Sequence, residues 1–290
     1  MPFKPLRFGV YLAISLIALS LCVITINHFI YHFPGNEYFP HEVLILSLSL
    51  GLMYTGCTIM FSHDHPITER VLYFIYFLGV MSVLALATNA VQYTPFTTID
   101  KYIVSAESLI QIHEDGIATW THQWPRFYSL LTFIYNSLPY QMCYIPLFII
   151  ICRKKGLIAE YFCLLLISAL LGFSIYYFFP TTGPASVFGG PSFTEAQYAT
   201  GLKFSQIHHH MQPSTLDGGL IALPSFHVIW SWFCLYLLNP WKWLFLMMLP
   251  INGLLIISCV LLGWHYPTDI LAAAIVILLS HWIYYTFNKA

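Results

Sequence analysis

The sequence predicts an all-α integral membrane protein of about eight transmembrane helices, and three observations carry that reading. Of its 290 residues 58% are hydrophobic and 8% charged, where a soluble domain carries about 25% charged residues. The apolar residues gather into runs of about 20, the length a helix needs to cross the hydrocarbon core. The basic residues divide unevenly between alternate connecting segments, as the cytoplasmic preference of Lys and Arg demands. A net charge of −1 gives no reason to expect a nucleic-acid partner. The seven cysteines lie within or at the ends of apolar runs without a CxxC pair, so they read as small buried hydrophobes rather than disulfides or metal ligands.

In chain order, Lys4 and Arg7 precede an apolar run, Phe8 to Ile26, too long for a cleaved signal and therefore a signal anchor. The expected spans are 8–28, 43–61, 71–92, 128–151, 157–179, 220–239, 243–262 and 267–286. With a cytoplasmic N-terminus, the inner segments hold Lys4, Arg7, Arg70, Arg153, Lys154, Lys155, Lys242 and Lys289, and the outer ones Lys101, Arg126 and Lys203. Eight against three puts both termini in the cytoplasm. Residues 1–66 then form two N-terminal helices. Residues 67–290 form a six-helix core with outer loops 93–127 and 180–224.

Three outer segments follow. His28–Glu42 lacks Lys and Arg and reads as an interfacial connection. In 93–127, Ile99, Tyr102, Ile103, Leu109, Ile110 and Ile112 suggest a helix lying on the membrane surface. Trp120 and Trp124 fit the aromatic belt. Glu107, His113, Glu114 and Asp115 read as solvated. The loop 180–224 exceeds the roughly 15 residues beyond which unstructured loops are usually functional or disordered. Its His208-His209-His210 run reads as surface polar sequence, since adjacent residues cannot easily all face one metal ion.

The chemistry-bearing residues lie at the outer ends of the later spans. His265 and Asp269 are four apart around Pro267. On a continuous helix they share a face. If Pro267 instead starts a helix, Asp269 occupies its first turn with His265 just ahead. Either way the carboxylate reaches the imidazole, fixing its tautomer and making the other nitrogen more nucleophilic. Ser225 is an expected N-cap, with His227 in the first helical turn behind it. The free N–H groups of that turn are a natural anion site. Pro180, Gly183 and Pro184 break the fifth span, so Thr181, Thr182 and Gly183 can present hydroxyl and N–H groups inward. Two histidines, a carboxylate and a helix N-terminus suggest phosphoryl chemistry: one His attacks, the other donates a proton, and N–H groups hold the oxyanion.

The segments FPTTGPAS (179–186), GGLIALPSFHVIWS (218–231) and LLGWHYPTDILAAA (261–274) resemble the three signature regions of the type 2 phosphatidic acid phosphatase superfamily. The nearest likeness is to the branch of inositol phosphorylceramide synthases (inositolphosphotransferases) and their bacterial relatives. It covers roughly 157–286, more weakly back to about Asp100. The resemblance implies a metal-independent lipid phosphatase or phosphotransferase of the bacterial cytoplasmic membrane, without cofactor, with its site on the extracytoplasmic side. His265 would be the nucleophile that becomes phosphohistidine, Asp269 its orienting carboxylate, His227 the general acid and Ser225 a phosphate ligand. Thr182 and Gly183 join the phosphate site. The chain departs from the phosphatase pattern in lacking Lys and Arg before the first-signature proline, in Cys259 where Arg usually follows Ser258, and in Phe226 where Gly is usual. Lys203, Arg126 or a protonated histidine of 208–210 are the candidates to replace that charge. The reading from another class is a transporter or scaffold with a degenerate site. Transporters show paired broken helices in two related halves, and no such halves are visible here.

Overall fold

The structure is a computed structural model that describes residues 4–39 and 41–289. Residues 1–3, Pro40 and Ala290, which the expected N-terminal pair and core include, lie outside the described residues. Among the described residues the chain is helical, with no strand.

Three helices come first. α1 (Lys4–Ile26) continues through a π turn at Asn27–Tyr31, α2 spans Val43–Met60, and α3 spans Pro66–Val91. The outer segment contributes α4 (Asp100–Ser108) and α5 (Glu114–His122). Next come α6 (Pro125–Tyr135), α7 (Leu138–Ile151) and α8 (Lys155–Phe178). The long loop contains α9 (Ala185–Phe188) and α10 (Glu195–His208). The last three are α11 (Phe226–Leu237), α12 (Lys242–Leu261) and α13 (Pro267–Lys289). By length and composition α1, α2, α3, α8, α12 and α13 can each cross a bilayer.

The other two expected spans take different forms. Residues 128–151 are divided between α6 and α7, which meet at 42°. Pro139 stands in the first turn of α7, where its ring would clash with the carbonyl four residues back in a continuous helix. The expected span 220–239 is helical only over the 12 residues of α11, about 18 Å at 1.5 Å per residue against a core of about 30 Å. Pro224 and Ser225 stop it from extending further toward the N-terminus.

The bundle is organised on α8, which is apolar all round, as a helix enclosed by others must be. Fourteen of its residues are buried, and α1, α3, α7, α11 and α13 pack on it. α2 packs on α3 and buries none of its residues, so bilayer lipid covers the rest of it. In the first turn of α3, Glu69 accepts from Arg153 at 3.0 Å and pairs with Lys155. All seven cysteines are free. Cys163, Cys234 and Cys259 are buried as expected, whereas Cys57 is half-buried and Cys22, Cys143 and Cys152 are exposed, because they lie on helix surfaces that no other helix covers.

The outer segments are more ordered than the sequence implied. The expected surface helix in 93–127 is two helices, α4 and α5. The loop 180–224 holds the 14-residue α10, started by a capping box in which Thr194 and Gln197 exchange hydrogen bonds.

Candidate active site

Pro267 is the first residue of α13, so the second of the two geometries holds: Asp269 lies in the first turn and His265 just ahead of it. Gly263, at φ +76°, turns the chain out of α12 toward that pair. His265 Nδ1 lies 3.2 Å from Asp269 Oδ2 and 3.0 Å from the carbonyl oxygen of Ala222. Both neighbours can only accept, so the proton belongs on Nδ1 and Nε2 carries the lone pair. Asp269 Oδ2 also accepts from the Tyr266 amide at 3.0 Å, which fixes the turn between the two side chains.

α11 approaches from the other side. The Ser225 amide donates to the Asp269 carbonyl oxygen at 3.3 Å, joining the starts of α11 and α13. Ser225 occupies the N-cap position, but its hydroxyl makes no capping bond and lies 4.0 Å from Cys259 Sγ. The first-turn amides of α11 therefore lack a side-chain cap, the arrangement an anion can exploit. The His227 ring is 6.0 Å from that of His265. It stacks on Tyr135 at 4.1 Å, with the phenol oxygen 3.3 Å from Nδ1. Tyr135 stacks in turn on Trp264.

His227, His265, Thr182 and Gly183 line one small cavity of about 40 Å³. Gly183, at φ +89°, has no room for a side chain, because a Cβ would sit 3.0 Å from the Trp264 carbonyl oxygen. The amides of Thr182 and Gly183 already have a carboxylate: Asp100 accepts from them at 2.9–3.0 Å, and from the Thr182 hydroxyl at 3.3 Å. The Tyr266 hydroxyl donates to the same carboxylate at 3.0 Å. Burial raises the Asp100 pKa in spite of these donors.

The cavity lining contains no Lys or Arg. Lys203, a candidate to supply the phosphate with positive charge, is buried (1% exposed) and does not line the cavity. Its ammonium is directed away, donating to the carbonyls of Asp217 at 2.6 Å and Leu216 at 3.5 Å. Burial pulls its pKa down to about 8. Arg126 is exposed at the start of α6. His208 stacks on Phe204, while His209 and His210 are exposed. Among the described residues no group of three or more His, Cys, Asp or Glu side chains could hold a metal ion.

Four residues near the site escaped sequence reasoning: Tyr135, Tyr266, Asp100 and Glu107. Glu107 was read as solvated, yet it is 3% exposed. Its Oε1 accepts from the Thr268 amide at 2.7 Å and hydroxyl at 2.6 Å, capping α13 from outside its own chain segment. Glu114, also read as solvated, is buried. Burial and the neighbouring Glu107 push its pKa up. His113 and Asp115 are exposed. A usable signal was present, since Asp100, Ile103 and Glu107 fall three and four apart on one face of α4.

Asp100 therefore ties the Thr182–Gly183 loop to the turn that carries His265. In Asp100→Asn one carboxylate oxygen becomes an amide donor facing donors. Hydrogen bonds to charged groups contribute about 1.5–3 kcal/mol each. The variant is expected to melt several degrees lower in detergent and to lose at least tenfold in turnover. Wild-type values for both would remove Asp100 from the site's support.

The sequence pattern of the PAP2 superfamily matches residues 101–283. That stretch includes His227, His265 and Asp269. No curated protein matches the chain, and no solved structure does.

Proposed function

Because the chain belongs to the PAP2 superfamily, with the phosphatase-like activity on lipid phosphates that membership supports, we propose that it cleaves a lipid phosphoester through a phosphohistidine on His265. The observation that carries this reading is the pair of acceptors on His265 Nδ1, which leaves Nε2 free to attack.

Nε2 attacks phosphorus, and the Nε2–P bond forms as the bond to the leaving oxygen breaks. His227 gives that oxygen its proton. The uncapped amides of α11 and the Ser225 hydroxyl support the phosphoryl oxygens, with Thr182 and Gly183 forming the facing wall. Water or an alcohol then attacks phosphorus, the Nε2–P bond breaks to free His265, and the attacking hydroxyl returns a proton to His227. Water makes the enzyme a lipid phosphatase. An alcohol makes it a head-group phosphotransferase of the inositol phosphorylceramide synthase-like kind. Cys259 and Phe226, in place of the phosphatase Arg and Gly, favour that branch.

The topology belongs to the same proposal. Eight crossings put both termini in the cytoplasm of a bacterial cell and the site on the extracytoplasmic face. Residues 67–290 are the catalytic core and residues 1–66 an addition to it. No metal or other cofactor takes part. Purified protein given labelled lipid phosphates, with and without alcohol acceptors and in the presence of EDTA, is expected to release phosphate or form a new lipid. No product from any lipid phosphate, or activity that returns only with one divalent ion, would overturn the proposal.

A further inference from the structure

Where α3 and α8 begin and α7 ends, four cationic side chains meet one carboxylate. Arg70 of α3 and Arg153, Lys154 and Lys155 of the α7–α8 turn line one pocket together with Glu69. α8 is 24 residues long, about 36 Å at 1.5 Å per residue, and Thr182 and Gly183 follow its other end. The pocket therefore lies at the end of the bundle away from His265.

The turn presents these side chains through its own backbone. The Arg153 amide donates to the Ile150 carbonyl at 3.0 Å and the Lys154 amide to the Ile149 carbonyl at 3.3 Å, the pairing of a Schellman motif. Arg153 takes the left-handed position, at φ +57°, where Gly is the usual residue. Lys154 then stands at the N-cap of α8, which has no side-chain cap, with its ammonium 5.9 Å from the centre of the Trp241 ring. Glu69 takes both Arg153 and Lys155, which stay exposed. The pocket lining then holds no further carboxylate for Arg70 or Lys154. Arg70 Nε is buried without a hydrogen-bond partner, a state that few buried polar groups are left in without a reason.

We propose that this pocket binds the phosphate of an anionic phospholipid. Four cations against one carboxylate select for negative charge. The planar fork of Arg70 matches phosphate oxygens, and the uncapped first-turn amides of α8 add donors. Lipid is the source because α3 and α8 are long and apolar enough to cross a bilayer, which puts their ends at its surface. Basic pockets between helices meet lipid head groups there. Ile150 and Ile158 in the same lining give apolar contact to the part of the lipid next to its phosphate. The assignment stands apart from the reaction proposed at His265.

Protein purified in a neutral detergent is titrated with phosphatidylglycerol, with phosphatidylcholine of the same acyl chains, and with inorganic phosphate, while its melting temperature is followed. Phosphatidylglycerol is expected to raise that temperature saturably, and the two controls at equal concentration to leave it unchanged. Arg70→Gln is expected to weaken the apparent affinity about fivefold or more, the effect of one basic residue facing anionic lipid. Lys154→Gln, at an exposed position, gives the same reading should Arg70→Gln fail to fold. Glu69→Gln separates binding from structure. It breaks two ion pairs of the free protein, yet it removes the competing carboxylate and is expected to tighten phosphatidylglycerol binding. No saturable shift, an equal shift from either control, or wild-type affinity in all the variants that fold would overturn the proposal.

Discussion

His265→Ala is expected to fold and to turn over no phosphoester at all, lipid or soluble. In the proposed mechanism the imidazole is the nucleophile, and alanine leaves that reaction without a covalent route. Asp269→Asn is a finer test. In a hydrolase triad, exchanging the orienting Asp for Asn costs about 10⁴-fold in kcat, largely through the wrong tautomer. Here the Ala222 carbonyl also accepts from Nδ1 at 3.0 Å, so the tautomer survives and the loss comes from the missing negative charge. A severe but smaller loss is therefore expected, with about 10⁴-fold as the upper bound. Steady-state rates on a lipid phosphate and on nitrophenyl phosphate check both variants. Retained turnover in His265→Ala would remove the nucleophile.

His227→Ala should behave differently on the two substrates. Protonating the leaving oxygen is worth roughly 10²–10⁴-fold. A lipid alkoxide needs that proton, whereas nitrophenolate leaves as a stable anion. The variant is expected to lose that full factor on lipid phosphates and much less on nitrophenyl phosphate. Equal losses on both would take the acid role from His227. His227 is 6.0 Å from His265 and stacked on Tyr135, so the aromatic sandwich also holds it in place. Tyr135→Phe keeps the stack and removes only the hydroxyl near Nδ1, which separates the two contributions.

The parts of the fold that the sequence made legible are those governed by short-range pattern. Long apolar runs located the membrane helices to within a few residues, because twenty consecutive apolar residues have few alternatives to crossing a bilayer. His265, Pro267 and Asp269 were legible because their geometry is set within one turn. The bend at Pro139 and the shortening of α11 at Pro224 were written in the sequence as prolines, but apolarity on both sides hid them. The partners of Lys203 and the burial of Glu107 were not legible because both depend on what the fold brings over them. Lys203 meets the 216–217 carbonyls and Glu107 meets Thr268, 161 positions away. The Asp100 carboxylate on Thr182 and Gly183 is likewise a contact across 82 positions, beyond any local signal. It also changes the picture of the phosphate site, since amides expected to face an anion from outside already hold one from within.

The most direct measurement of the central proposal uses His227→Ala. Without its base, attack of water or alcohol on the phosphoenzyme slows, and the intermediate should accumulate. The variant is mixed with a nitrophenyl phosphate labelled at phosphorus, quenched in alkali and digested. Label that is stable to alkali, lost in acid and located by mass spectrometry on His265 is the expected result. Label on Ser225 or another acid-stable residue, or continued turnover with none on the protein, would contradict it.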